Sequence, residues 1–249
     1  MDLGIDGKVA LVSGASSGIG RAIAAELARE GARVAISSRS REKIDATAKE
    51  IGATGFVLDS SDLDAIEPTV AEIEQQLGAI DILVCNTGGP PSGADPLGFS
   101  REQWEAAYRS LVLAQITLIE RVLPGMRERG FGRILNVAST SVREPIANLM
   151  LSNAHRAAMI TAFKTLSRHV AGDGVTLNSL LPGRIATDRA YSMAGSPEEA
   201  EASAAKEVPA GRMGKPEEMA AAAAFFCSAR AGYVTGETLA VDGGMTRSI

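Results

Sequence analysis

The chain has 249 residues, 45% hydrophobic and 22% charged, which is enough to bury a large core and too apolar for a disordered chain. Its 25 Lys and Arg against 30 Asp and Glu give a net charge of −5, which argues against a nucleic-acid-binding or basic membrane-surface protein. Cys85 and Cys227 are far apart and form no C-x-x-C pair, so a disulfide scaffold and a zinc ribbon are both disfavoured and no metal site is expected. The first residues are acidic and lack the apolar run of a signal peptide. The longest apolar stretch, Met219 to Cys227, is nine residues, where a membrane span needs about 20. These features predict a cytoplasmic protein with no membrane segment.

Short β-rich runs alternate with longer helical runs. Val9 to Val12 reads as a buried strand. Arg21 to Glu30 is a helix stopped by Gly31. Val34 to Ile36 is a second strand, Arg41 to Ile51 a helix closed by Gly52, and Gly55 to Leu58 a third strand. Leu63 to Leu77 is a helix ending at Gly78, and Ile80 to Val84 a fourth strand. A loop rich in Gly and Pro precedes a long helix from Arg101 to about Glu128, where Pro124 is a candidate kink. Arg133 to Val137 is a fifth strand, followed by a helix near Leu151 to Val170 and a strand from Val175 to Leu180. Residues 187–215 are expected to form a mobile, partly helical insertion. A helix from Glu217 to Ala229 and a strand from Thr238 to Val241 close the chain. This alternation, with no linker-like break, predicts a single α/β domain: a doubly wound Rossmann-type fold of about seven parallel strands with helices on both faces.

Between the first strand and helix lies Ser13-Gly14-Ala15-Ser16-Ser17-Gly18-Ile19-Gly20. There Gly14 permits a tight turn, Gly18 lets backbone approach a pyrophosphate, and Gly20 lets the helix pack on the strand. The helix N-terminus offers free N–H groups to the phosphates. The spacing is G-x-x-x-G-x-G. The second strand ends Ser37-Ser38-Arg39-Ser40, with no acid for a ribose 2′-hydroxyl. Arg39 pairs instead with the 2′-phosphate of NADP, so NADP(H) is favoured over NAD(H), unless Arg39 is a solvated loop residue.

At this point the sequence resembles the short-chain dehydrogenase/reductase family from end to end. The glycine turn is similar to that family's TGxxxGxG, with Ser13 for Thr. The resemblance places Asp59 at the adenine and Asn86-Thr87-Gly88-Gly89 at the family's NNAG-like segment. It places Asn136 to Ser139 at the strand end that carries the catalytic serine. Pro182-Gly183, with Ile185 and Thr187, matches the loop that meets the nicotinamide carboxamide, and Gly211 to Glu218 and Val241 to Gly244 match C-terminal segments. The family's active centre is an Asn–Ser–Tyr–Lys tetrad. At the family's usual spacing the tyrosine falls on Ser152, the lysine on Arg156 and the asparagine on Ser110, so only Ser139 is kept. The NTGGP run from Asn86 and the SNxxR run from Ser152 resemble those of divergent members, which makes the departure a subgroup trait.

A serine hydroxyl donates a hydrogen bond but is a far weaker acid than a phenol, and losing a positioned general acid lowers a rate by about 10²–10⁴. Arg156 keeps a positive charge one turn from Ser152, either to hold ribose hydroxyls or as a structural helix arginine. His155 is a candidate replacement acid, or a residue of a subunit contact; Tyr191, in the insertion, is a weaker candidate, and Tyr108 weaker again. Ser141 stands beside Ser139 as a second hydroxyl, and Trp104 reads as packing. The leading expectation is an NADP(H)-dependent oxidoreductase acting on a small carbonyl or alcohol with a non-standard proton donor. The alternative is a nucleotide-binding relative without redox turnover, acting as a scaffold or sensor. The resemblance also implies a homotetramer or homodimer. The insertion sets substrate choice and carries no readable specificity.

Overall fold

The computed structural model describes residues 2–248. Seven parallel strands form one sheet in the order β3-β2-β1-β4-β5-β6-β7. They are β1 Val9–Ser13, β2 Arg33–Ser38, β3 Thr54–Val57, β4 Ile82–Cys85, β5 Gly132–Val137, β6 Val175–Pro182 and β7 Thr238–Val241. The helices between them are α1 Gly18–Arg29, α2 Arg41–Ile51, α3 Ile66–Leu77, α4 Arg101–Tyr108, α5 Ala114–Glu128, α6 Met150–Val170, α7 Asp188–Ala194, α8 Pro197–Glu207 and α9 Pro216–Cys227. The expected doubly wound fold is therefore present, with element ends shifted by a few residues.

Alternation along a strand explains the two layers. In β1, Ala10 and Val12 face a core built with Ile23, Leu27 and Phe226 of α1 and α9. Val9 and Leu11 face the opposite core, built with Ile73, Leu118 and Phe163 of α3, α5 and α6. Both faces are covered, so β4 and β1 up to Val12 are apolar throughout. Local signals set the helix ends. The Ser40 hydroxyl accepts from Lys43 N–H at 3.4 Å to start α2, and Gly52, at φ +70°, ends it. Ser100 and Gln103 form a reciprocal capping box at α4.

Two segments add detail to the expectations. Helical turns continue through Pro124, and the irregularity of the long helix lies earlier, as a π-turn at Arg109–Leu113. Residues 187–215 are partly helical, as expected: they hold α7 and α8, with a small core of their own formed by Ala200, Ala204, Val208 and Met213. Both cysteines are buried, and burial pushes their thiols up to about 12, which makes them inert. No helix among the described residues is long and apolar enough to cross a membrane.

Candidate functional site

The strand order reverses between β1 and β4, and the chain leaves the sheet there in opposite directions. A hydrogen-bond clamp holds the two strand ends together. Ser13 Oγ donates to Asn86 O at 2.8 Å and accepts from Asn86 N–H at 3.1 Å. Asn86 Nδ2 donates to Gly14 O at 2.9 Å and to Ser13 O at 3.2 Å. Asn86 thus fixes the glycine turn. A Cβ on Gly14, which sits at φ +59°, would lie 2.6 Å from Asn86 O.

The turn leads into α1, whose N-cap Ser17 makes no side-chain capping bond. The first-turn N–H groups of α1 are therefore left for a ligand. Gly18 has φ +57°, and a Cβ there would come within 3.3 Å of Thr187. The glycine keeps the passage between α1 and the loop after β6 narrow but open. Thr187 caps α7, its Oγ1 accepting from Ala190 N–H at 3.3 Å.

A cavity of about 720 Å³ opens beyond this passage. It is lined by Ile19, Asn86, Ser139, Ser152, Arg156, Pro182, Gly183, Ile185 and Thr187, so nine of the sequence-predicted residues meet in one space. Ser16, Ser17, Arg39, Asp59 and Gly88 lie outside its wall. Arg39 is exposed at the end of β2 and its charge reaches Asp59. Burial works against ionising Asp59, but the N–H and hydroxyl of Ser61 and the Arg39 guanidinium outweigh it and hold the carboxyl below its ordinary range.

The reactive end of the cavity is built by β5 and α6. Ser139 Oγ accepts from Ser141 N–H at 3.1 Å. Ser152 Oγ accepts from Arg156 Nε at 3.2 Å, and Arg156 Nη1 donates to Val137 O at 2.7 Å. Each hydroxyl has a lone pair already engaged, which leaves its O–H free to donate into the cavity. Arg156 is buried. Burial, and then the neighbouring Arg189 guanidinium, lower it to about 10.

Three expected site residues are placed elsewhere. His155 does not line the cavity: its ring stands 5.4 Å from Trp104 and 6.2 Å from Tyr108, and Nδ1 donates to Leu151 O at 2.7 Å. A helix turns about 100° per residue, so the step from Ser152 to His155 rotates the ring toward α4 while Arg156 stays near Ser152. Ser110, in the π-turn, donates to Ala106 O at 3.0 Å and does not reach the wall. Tyr191 packs on the small core of α7 and α8.

The cavity also contains residues that sequence reasoning did not select. Thr87 carries a buried hydroxyl without a partner. Arg189 reaches over the loop after β4, Nη1 donating to Gly89 O and Nη2 to Pro90 O, each at 3.2 Å. A Cβ on Gly89 would strike that guanidinium, so the glycine is the local signal for the approach. Among the described residues no cluster of His, Cys, Asp or Glu could hold a metal ion.

A family model described as Enoyl-(Acyl carrier protein) reductase matches residues 14–246. The chain is 37% identical over 245 residues to 3-oxoacyl-[acyl-carrier-protein] reductase FabG of Vibrio harveyi, covering 98% of this chain and 99% of that one. The chain belongs to the short-chain dehydrogenase/reductase family. It is also 36% identical over 258 residues to the NADPH-dependent reductase BacG of Bacillus subtilis, covering 97% and 99%. L-sorbose reductase from Gluconobacter frateurii, solved with NADPH and L-sorbose, superimposes with a TM-score of 0.93 at 31% identity over the whole of both chains.

Proposed function

We propose that the protein is an NADPH-dependent oxidoreductase that reduces a small carbonyl compound, in a branch of the family where Ser152 and Arg156 stand for the usual tyrosine and lysine. The observation that carries this reading is the pair of hydroxyls, Ser139 and Ser152, each with a free O–H in the same cavity. The cofactor would lie from the uncapped start of α1, with its phosphates over Gly14 to Gly20, to the loop Pro182–Thr187. Asn86 and Gly88 would flank it, Asp59 would meet the adenine, and Arg39 the 2′-phosphate. NADPH, when bound, supplies the hydride.

The residues then have defined tasks. Ser139 and Ser152 hold the substrate oxygen by two donated hydrogen bonds and polarise the carbonyl. The Ser152 O–H passes its proton to that oxygen as it becomes an alkoxide, and water entering the cavity restores it. The Arg156 cation against Ser152 Oγ stabilises the deprotonated serine during that exchange. Ser110, His155 and Tyr191 take no part.

The test is NADPH oxidation with a panel of small ketones and aldehydes, after NADPH binding has been confirmed by fluorescence. Turnover of any member supports the reading. Tight NADPH binding without turnover would move the protein to the scaffold or sensor alternative. Arg39→Ala is expected to weaken NADPH binding by about tenfold or more, the loss of one charged hydrogen-bond partner, with NADH unaffected. Equal NADPH binding by parent and variant would remove Arg39 from the site.

Assembly is part of the same proposal. An apolar groove on α5 and α6, lined by Ile116, Ile119, Leu123, Ala158 and Leu166, is the candidate subunit contact for the homotetramer or homodimer that the resemblance implies. Light scattering is expected to give a dimer or tetramer for the parent and a smaller species for Ala158→Arg. An unchanged mass for that variant would place the contact elsewhere.

A further inference from the structure

The most unusual group in the cavity is Arg156. It is buried, and its five N–H donors include only two with protein acceptors, Ser152 Oγ and Val137 O. Among the described residues no carboxylate forms an ion pair with it, nor with Arg189. The acids on the cavity wall are already engaged. Glu207 pairs with Arg184 and accepts from Ser203 Oγ, and Glu144 accepts from the backbone of Arg247 and Ser248. The charge that Arg156 does feel is another cation, Arg189, which reaches the same space from α7. Two guanidiniums on the wall of one cavity, with no acid paired to either, favour an anion in the space they share.

We propose that the substrate is an oxo acid, with its carboxylate between Arg156 and Arg189 and its carbonyl oxygen on Ser139 and Ser152. The inference rests on the reading under Proposed function and narrows its substrate class. Geometry sets the chain length between the two groups. Arg156 Nε lies 3.2 Å from Ser152 Oγ, so an oxygen held by Ser152 is next to the guanidinium. A carboxylate on the carbonyl carbon or one carbon further matches this short separation, which points to a 2-oxo or a 3-oxo acid. Arginine's planar fork matches a carboxylate by paired N–H donors, and a neutral thioester or amide offers no charge to offset the two cations. Arg189 is exposed, its guanidinium seated on the Gly89 and Pro90 carbonyls, and is therefore already aimed into the cavity before ligand arrives.

The experiment is calorimetric titration of the protein–NADP⁺ complex with 2-oxo and 3-oxo acids, each beside its amide. With the oxidised nucleotide no reduction occurs, so the readout is binding and does not depend on turnover. The best acid is expected to bind about 10- to 100-fold more tightly than its amide, the range for a charge-assisted pair. Arg189→Gln, an exposed position that the fold tolerates, is expected to lose about tenfold for the acid and nothing for the amide. Arg156→Met is expected to lose more. Equal binding of acid and amide, no binding of either, or an unchanged acid affinity in Arg189→Gln overturns the inference and leaves the proposed function standing. Failure to bind NADP⁺ at all overturns both.

Discussion

Ser152→Ala is expected to lower kcat for any carbonyl substrate by about 10²–10³-fold, the usual effect of deleting one donor to a developing oxyanion. NADPH affinity is expected to stay within about twofold, because the phosphate turn and the loop after β6 are untouched. Two roles are removed together. The substrate oxygen loses one of its two hydrogen bonds, and the proton that sits beside the Arg156 cation is gone. Ser139→Ala removes one hydrogen bond without the proton, so its loss is expected to be the smaller. Steady-state kinetics with single-turnover checks decide the matter. Wild-type kcat in Ser152→Ala would mean that water alone donates the proton, and the serine would become a packing residue.

The same pair fixes a pH dependence. Arg156 titrates near 10, below the ordinary arginine range, because burial and Arg189 disfavour its cation. A base whose pKa is depressed by folding weakens the folded state wherever it is protonated. Stability is therefore expected to rise, from this group, as pH climbs from about 10 into the ordinary arginine range. Activity is expected to move the other way, falling as pH passes about 10, since the neutral guanidine no longer stabilises deprotonated Ser152. A pH–kcat profile flat through 10 would remove Arg156 from the chemistry.

The fold could be read from the sequence because its signals are local and repeated. The strands β1 and β4 are short apolar runs, and glycines such as Gly31, Gly52 and Gly78 sit just beyond helix ends. The glycine turn is equally plain, since its three glycines fall between a strand and a helix. Other features depend on rotation and long-range packing. His155 and Arg156 are neighbours in sequence, yet one faces Trp104 and the other the cavity. Arg189 lies far along the chain from Gly89, and although the glycine marks a close approach, nothing in the sequence says that Arg189 makes it. The π-turn at Arg109–Leu113 has no proline or glycine to mark it, so Pro124 drew the expectation of a kink instead.

Gly20→Ala is expected to be strongly destabilising. Gly20 lies in the first turn of α1, where backbone conformation is ordinary and space is the constraint. A Cβ there would stand 2.6 Å from both Gly14 O and Asn86 Nδ2, and 3.0 Å from Ala15 Cα. Two of these atoms are backbone. The third is the amide that ties β1 to β4 through Ser13 O and Gly14 O. Relief therefore requires α1 to lift from the turn, because moving Asn86 alone leaves the contact with Gly14 O. Overpacking of this kind costs about 1–3 kcal/mol, and each lost hydrogen bond about 1 kcal/mol. A total near 3 kcal/mol corresponds to a fall in Tm of about 6–12 °C for a domain of this size. NADPH binding is expected to weaken as well, because the same movement displaces the first N–H groups of α1. Gly88→Ala is the control: a Cβ there meets nothing within 4 Å, and φ is not in the left-handed region. Its Tm is expected to match the parent within about 1 °C, within the usual range of neutral surface changes. If Gly20→Ala melts with the control, α1 is not pressed against the turn. The proposed placement of its N-terminus over the cofactor phosphates would then lose its structural basis.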